Sequence, residues 1–161
     1  MLNALLKIAQ DAAAGDGNPL HADKVAPIVA SAPGPIAQLA TLMSTRNVRV
    51  DLGWRSIESR YLGSLADTLD LVELEEEDPR AGELAQSLQI GSSGGGEVYF
   101  GLCWSDNGVC MAEIDFDEGF LTWFDSVDAF FEHVRDRELD REGEVPASVE
   151  AILEAAAAAR S

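Results

Sequence analysis

Five groups of residues have types or spacings that invite a chemical reading. His21 and His133 are the only histidines, and neither stands beside a nucleophile in the sequence. Cys103 and Cys110 are the only cysteines. A zinc site needs four close ligands, and no histidine lies near this pair, so two reduced, partly buried thiols are expected. Gly94-Gly95-Gly96 looks like a phosphate cradle, but such a loop opens a helix, with Lys and Ser/Thr where this chain has Glu97 and a strand. A flexible turn is the expectation. Asp115, Asp117 and Glu118 before Gly119 echo a calcium loop without the spacing to a twelfth-position glutamate. They are expected to form a solvated hairpin turn. Carboxylate pairs are not diagnostic among 29 acidic residues. No catalytic residue, metal site or cofactor is assigned.

Charge is more informative. The net charge is −18. Residues 1–66 carry five acidic and six basic side chains, whereas residues 67–161 carry 24 acidic and five basic ones. A field of that sign repels nucleic-acid phosphates and anionic lipid, and it speeds encounter with a basic protein. The partner expected is a protein, not nucleic acid or membrane. No apolar run approaches the ~18 residues of a membrane span. The apolar stretch Leu5–Ala14 is broken by Lys7, Gln10 and Asp11 and has no basic leader, so a cytoplasmic location is expected.

The elements that must position these residues follow from periodicity. The 161 residues suit one domain. Leu2, Leu5, Leu6, Ala9 and Ala13 share a helical face ending at Gly15 to Pro19. A second helix is expected over 22–32, with Pro27 in its first turn. After Pro33-Gly34-Pro35, a third carries Ile36, Leu39, Ala40 and Met43. Residues 47–52 alternate as a strand, and Trp54 is expected to close the core. Residues 56–76 fit helix or strand. A helical turn over 83–88 and a short strand over 88–91 come next.

The second half is a meander. Strands over 97–104 and 109–115 flank a turn with Asp106-Asn107-Gly108 chemistry. Pairing of Trp104 with Val109 would set the cysteines face to face; a two-residue turn at Asn107-Gly108 would set Cys110 opposite Ser105. A third strand covers 120–124. Ser126 caps a helix whose inner stripe is Val127, Phe130, Phe131 and Val134, with His133 expected at the surface. Residues 136–145 read as a charged linker to a last helix that frays in the alanines 155–159. The fold class is α+β: N-terminal helices, a largely antiparallel sheet of about four to six strands, and C-terminal helices.

The segment IGSSGGGEVYFGL, then a strand, a turn and FDSVDAFFEHV, resembles the SUKH superfamily. That group includes immunity proteins of bacterial toxin systems and fungal cell-wall regulators. Gly91, Gly94, Gly95 and Gly96 match its glycine-rich turn, and Val127-Asp128-Ala129-Phe130-Phe131 matches its helix start. Residues 43–47, ahead of the first strand, are the nearest counterpart of its N-terminal pattern. The resemblance implies a single non-catalytic domain that neutralises a toxin. With the charge, it implies a basic toxin domain as partner. Strand alternation cannot bury both Tyr99 and Phe100, or both Trp123 and Phe124. The candidate partner surface is therefore Glu97, Tyr99, Asp106, Asp115, Asp117, Glu118, Trp123 and Asp125. The alternatives are an acidic secretion chaperone holding an effector segment and a small enzyme with an unrecognised site.

Overall fold

The computed structural model describes residues 1–17 and 19–160. The chain is α+β. Its elements run α1 (Leu2–Ala12), β1 (Ala13–Asp16), α2 (Pro19–Val25), α3 (Gly34–Thr45), β2 (Arg46–Asp51) and β3 (Arg55–Glu58). They continue through α4 (Leu65–Leu69), β4 (Ser87–Ser93), β5 (Val98–Ser105), β6 (Gly108–Asp115), β7 (Phe120–Phe124), α5 (Val127–Glu142) and α6 (Ala147–Arg160). Short 3₁₀ turns occupy Ser59–Tyr61 and Ala81–Ala85. All seven strands form one antiparallel meander in chain order, from β1 at one edge to β7 at the other.

Alternation along the strands explains the packing. Phe100, Leu102 and Trp104 of β5 point to one face with Met111 of β6. There they meet Leu5 and Ala9 of α1, Ile36 and Met43 of α3, Phe130 and Phe131 of α5, and Ile152 of α6. Cys103, Ala112 and Ile114 point to the other face, with Tyr99, Leu121 and Trp123 partly buried beside them. That face is covered by Leu65 of α4 and Leu84 of the second 3₁₀ turn. A sheet packed on both faces has room for both members of each consecutive aromatic pair.

Several expectations are corrected. Two strands, β1 and β3, bring the sheet above the expected four to six. Ala13 leaves the first helix for β1, where it pairs with Val48. The second helix comes earlier than expected and ends at Val25, so Pro27 follows it in a turn. Trp54 is only half-buried, because it sits just before β3, beside the surface arginines of α5. Residues 136–142 are not a linker but the last turns of α5; Gly143, at φ +74°, ends that helix with its N–H on the Leu139 carbonyl. The helix continues because Glu138 is a buried inward residue, 2% exposed, whose carboxylate accepts the Trp54 backbone N–H. The alanine run stays helical and buries Ala156. Gly91 lies within β4, not in the glycine turn; a Cβ there would collide with the Phe100 ring and the Ser56 carbonyl.

Other expectations hold. The third helix buries Ile36, Leu39, Ala40 and Met43. Ser126 caps α5 by accepting the Ala129 N–H at 3.0 Å, and Val127, Phe130, Phe131 and Val134 are its buried stripe. The β5–β6 turn is the two residues Asp106-Asn107, with Ser105 opposite Gly108. Cys103 therefore faces Cys110, and both are free thiols. Their hydrogen bond draws the Cys110 thiol down to about 7, helped by the nearby Arg80 charge against some burial. The same bond and burial push Cys103 well above the ordinary thiol range.

Candidate functional site

The β6–β7 turn is built by its own carboxylate. Asp115 Oδ1 accepts the N–H groups of Asp117 at 3.1 Å and Glu118 at 2.9 Å, and Gly119 closes the turn at φ +76°. Asp115 is thereby committed to holding the turn, while Asp117 and Glu118 project into solvent. Glu97 stands beside them, its carbonyl accepting the Phe116 N–H at 2.7 Å and its side chain exposed. Two aromatics at this end are open to solvent, Phe116 at 38% and Phe120 at 49%.

A third acidic segment joins them. The Glu75 N–H donates to the Gly119 carbonyl at 3.0 Å, which lays Glu73 to Asp78 against the β6–β7 turn. A Cβ on Gly119 would strike the Glu73 carbonyl, so the close approach needs glycine there. Asp78 then accepts the Trp123 indole N–H at 3.1 Å, and the Arg80 guanidinium covers the Trp123 ring at 4.1 Å. Arg80 also pairs with Glu83 at 2.9 Å. A cleft of about 360 Å³ opens here, lined by Glu76, Glu77, Asp78, Phe120, Leu121 and Trp123.

The predicted surface is thus divided. Glu97, Asp115, Asp117 and Glu118 gather at one end of the sheet, with Tyr99 one residue in from it. Asp106 is at the opposite end of the eight-residue hairpin strands, about 24 Å away along the strand. Asp125, at the far end of β7, also lies away from the acidic turn. Tyr99 is half-buried edge-on between Tyr61 and Phe116, and Trp123 is half-buried under Arg80. The solvent-facing aromatics are Phe116 and Phe120. Sequence reading missed these two and the segment Glu73–Asp78. The acid run itself was visible; its docking on a turn more than 40 residues later was not.

On the other side of β7 a second cleft, of about 340 Å³, is lined by Trp54, Arg55, Glu113, Glu118, Phe120 and His133. Arg55 and Glu113 form a bidentate ion pair there, at 2.6 and 2.9 Å, with both side chains almost wholly buried. Both Glu113 oxygens are engaged by the guanidinium, so the pair is closed. His133 is not at the open surface as expected: its ring packs against Phe124 at 5.1 Å and is half-buried. Burial, reinforced by the Arg55 charge, lowers its pKa below the ordinary histidine value of 6.5. The folded state therefore binds this proton more weakly than the unfolded chain. The stabilisation is complete above the ordinary value, begins to fall below it and is lost as pH falls through the lowered folded value. His133→Gln is expected to flatten the loss of stability between about pH 7.5 and about pH 5.5, read as urea midpoints at the two values. An unchanged slope would mean that His133 is as solvated folded as unfolded.

Among the described residues no group of three His, Cys, Asp or Glu side chains is placed to hold a metal ion. No described helix is long and apolar enough to cross a membrane. No family model, no curated protein and no solved structure matches the chain.

Proposed function

We propose that this chain is a non-catalytic protein-binding domain of the SUKH-like immunity kind, acting in the cytoplasm to neutralise a basic toxin domain. One observation carries the reading: exposed Phe116 and Phe120 stand among the carboxylates of Glu97, Asp117, Glu118 and the docked segment Glu73–Asp78. Apolar anchors ringed by one sign of charge suit a partner of the opposite sign, with the charges setting encounter rate and the anchors residence time. A toxin whose substrate is nucleic acid has a basic cleft of that character. Asp106 and Asp125, at the far ends of the strands, lie outside this patch.

The test is co-expression with the product of the adjacent gene, followed by binding kinetics over a salt series. The association rate is expected to fall steeply with salt. The double reversal D117K/E118K should slow association about tenfold or more without lowering the urea midpoint. A complex indifferent to both salt and reversal would remove the basic partner from the reading.

The chaperone alternative draws on a different place. A groove of about 570 Å³ between α1, β2 and the start of α6 is lined by Ile8, Ala12, Val50 and Pro146, with Arg49 and Asp51 at its margin. An effector segment bound there would be insensitive to D117K/E118K, which separates the two readings.

A further inference from the structure

We infer that the outer edge of β7 is a docking strand, to which an extended basic segment of the partner adds by main-chain pairing. This rests on the basic-partner reading and specifies how the partner is held. β7 pairs with β6 alone, and its other side has no backbone partner among the described residues. An unpaired edge presents a row of N–H and C=O groups that templates another strand. Proteins usually blunt such an edge with proline, lysine, a bulge or an inward charge. β7 has none of these. It reads Phe-Leu-Thr-Trp-Phe, four of its five residues β-favouring, and its register with β6 is unbroken from Phe120 to Phe124. The opposite edge, β1, is four residues of Ala-Ala-Gly-Asp with a register shift between Ala14 and Asp16, a poor template.

Charge selects the occupant. An added strand sends alternate side chains to the two faces of the sheet. On one face they would enter the cleft that holds Glu118 beside Phe120 and Thr122. On the other they would enter the cleft that holds Glu76, Glu77 and Asp78 beside Leu121 and Trp123. Phe120 borders both clefts and is half-exposed at the edge itself. One row meets Glu76, Glu77 and Asp78 beside an Arg80 that Glu83 already pairs, while the other meets Asp115 and Glu118 beside Arg137 and the closed Arg55–Glu113 pair. Lys or Arg along the first row is the complement. A second copy of this chain is opposed by the repulsion between two molecules each of charge −18.

The probe is a synthetic peptide of about nine residues alternating Arg with Val or Thr, a length that matches an ordinary strand. It is titrated into the full chain by fluorescence anisotropy, and exchange of the β7 amides is followed by hydrogen–deuterium mass spectrometry. Two further peptides carry backbone N-methyl groups on alternate residues, one on each edge. Binding at low salt with slowed β7 exchange is expected. N-methylation of one edge should weaken it about tenfold or more, while methylation of the other leaves it unchanged. Binding indifferent to both methylated sets but weakened by D117K/E118K would overturn strand addition and leave the basic-partner reading standing. Binding indifferent to salt and to the reversal would overturn that reading as well. No binding of the parent peptide would remove β7 as a docking strand. A concentration-dependent dimer that itself protects the β7 amides would replace the basic segment by a second copy.

Discussion

Phe130→Ala is expected to destabilise the protein by about 3–5 kcal/mol, the range for truncating a fully buried phenylalanine. The ring has no solvent exposure. It lies 4.9 Å from Phe100, 5.2 Å from Phe124 and 5.2 Å from Phe131, so it joins β5, β7 and α5 at one point. Alanine would remove the apolar area and leave a cavity bounded by three rigid rings that cannot collapse into it. A domain of this size has about 5–15 kcal/mol in all, so the urea midpoint should fall by a large fraction. Phe120→Ala is the control. That ring is half-exposed at the sheet edge, and its loss should change stability by about 0.5 kcal/mol or less while weakening the proposed docking. A Phe130→Ala midpoint equal to wild type would show that α5 does not lie on the sheet in this register.

What could be read from the chain follows the range of the interactions. The α5 cap and stripe are local: Ser126 and the spacing of Val127, Phe130, Phe131 and Val134 determine them. The β5–β6–β7 meander is nearly local, with turn residues inside each hairpin. β3 was not legible because its four-residue run has charged ends that are nonetheless buried: Arg55 by Glu113, 58 residues further along, and Glu58 among its own close neighbours. Glu58 accepts from Ser56 at 2.6 Å and pairs with Arg60 at 3.2 Å. Residues 136–142 looked like a linker because charge dominates them, and only the tertiary site of Glu138 shows that the helix runs on. At the candidate surface, acidity was visible but its grouping was not. Meander topology sends Asp106 to one end and Asp117 with Glu118 to the other, and the Glu75–Gly119 bond brings in acids that sequence distance hides.

The Arg55–Glu113 pair gives the other large expected effect, with opposite outcomes for single and double replacement. Arg55 on β3 reaches Glu113 on β6 across two intervening strands, and the two side chains are 6% and 11% exposed. Neither group is solvated well enough to stand alone. Glu113→Ala would leave a buried guanidinium without its counter-charge, at a cost of about 3–5 kcal/mol. Arg55→Met would strand the carboxylate at a similar cost. The double variant R55M/E113L removes both charges and refills the space with apolar groups. It is expected to come back to wild-type stability or to exceed it by about 1–4 kcal/mol, because two desolvation costs vanish together. The measurement is a double-mutant cycle from urea midpoints, with coupling expected to persist in high salt because the pair is shielded from the ionic atmosphere. Two singles each losing under about 1 kcal/mol would place the pair among solvated surface bridges. The same cleft borders β7 at Phe120. A double variant that is fully stable is expected to bind the basic partner as wild type does, because the pair is net neutral and both Glu113 oxygens are already engaged by the guanidinium; weaker binding would show that the pair, buried as it is, still shapes the docking edge.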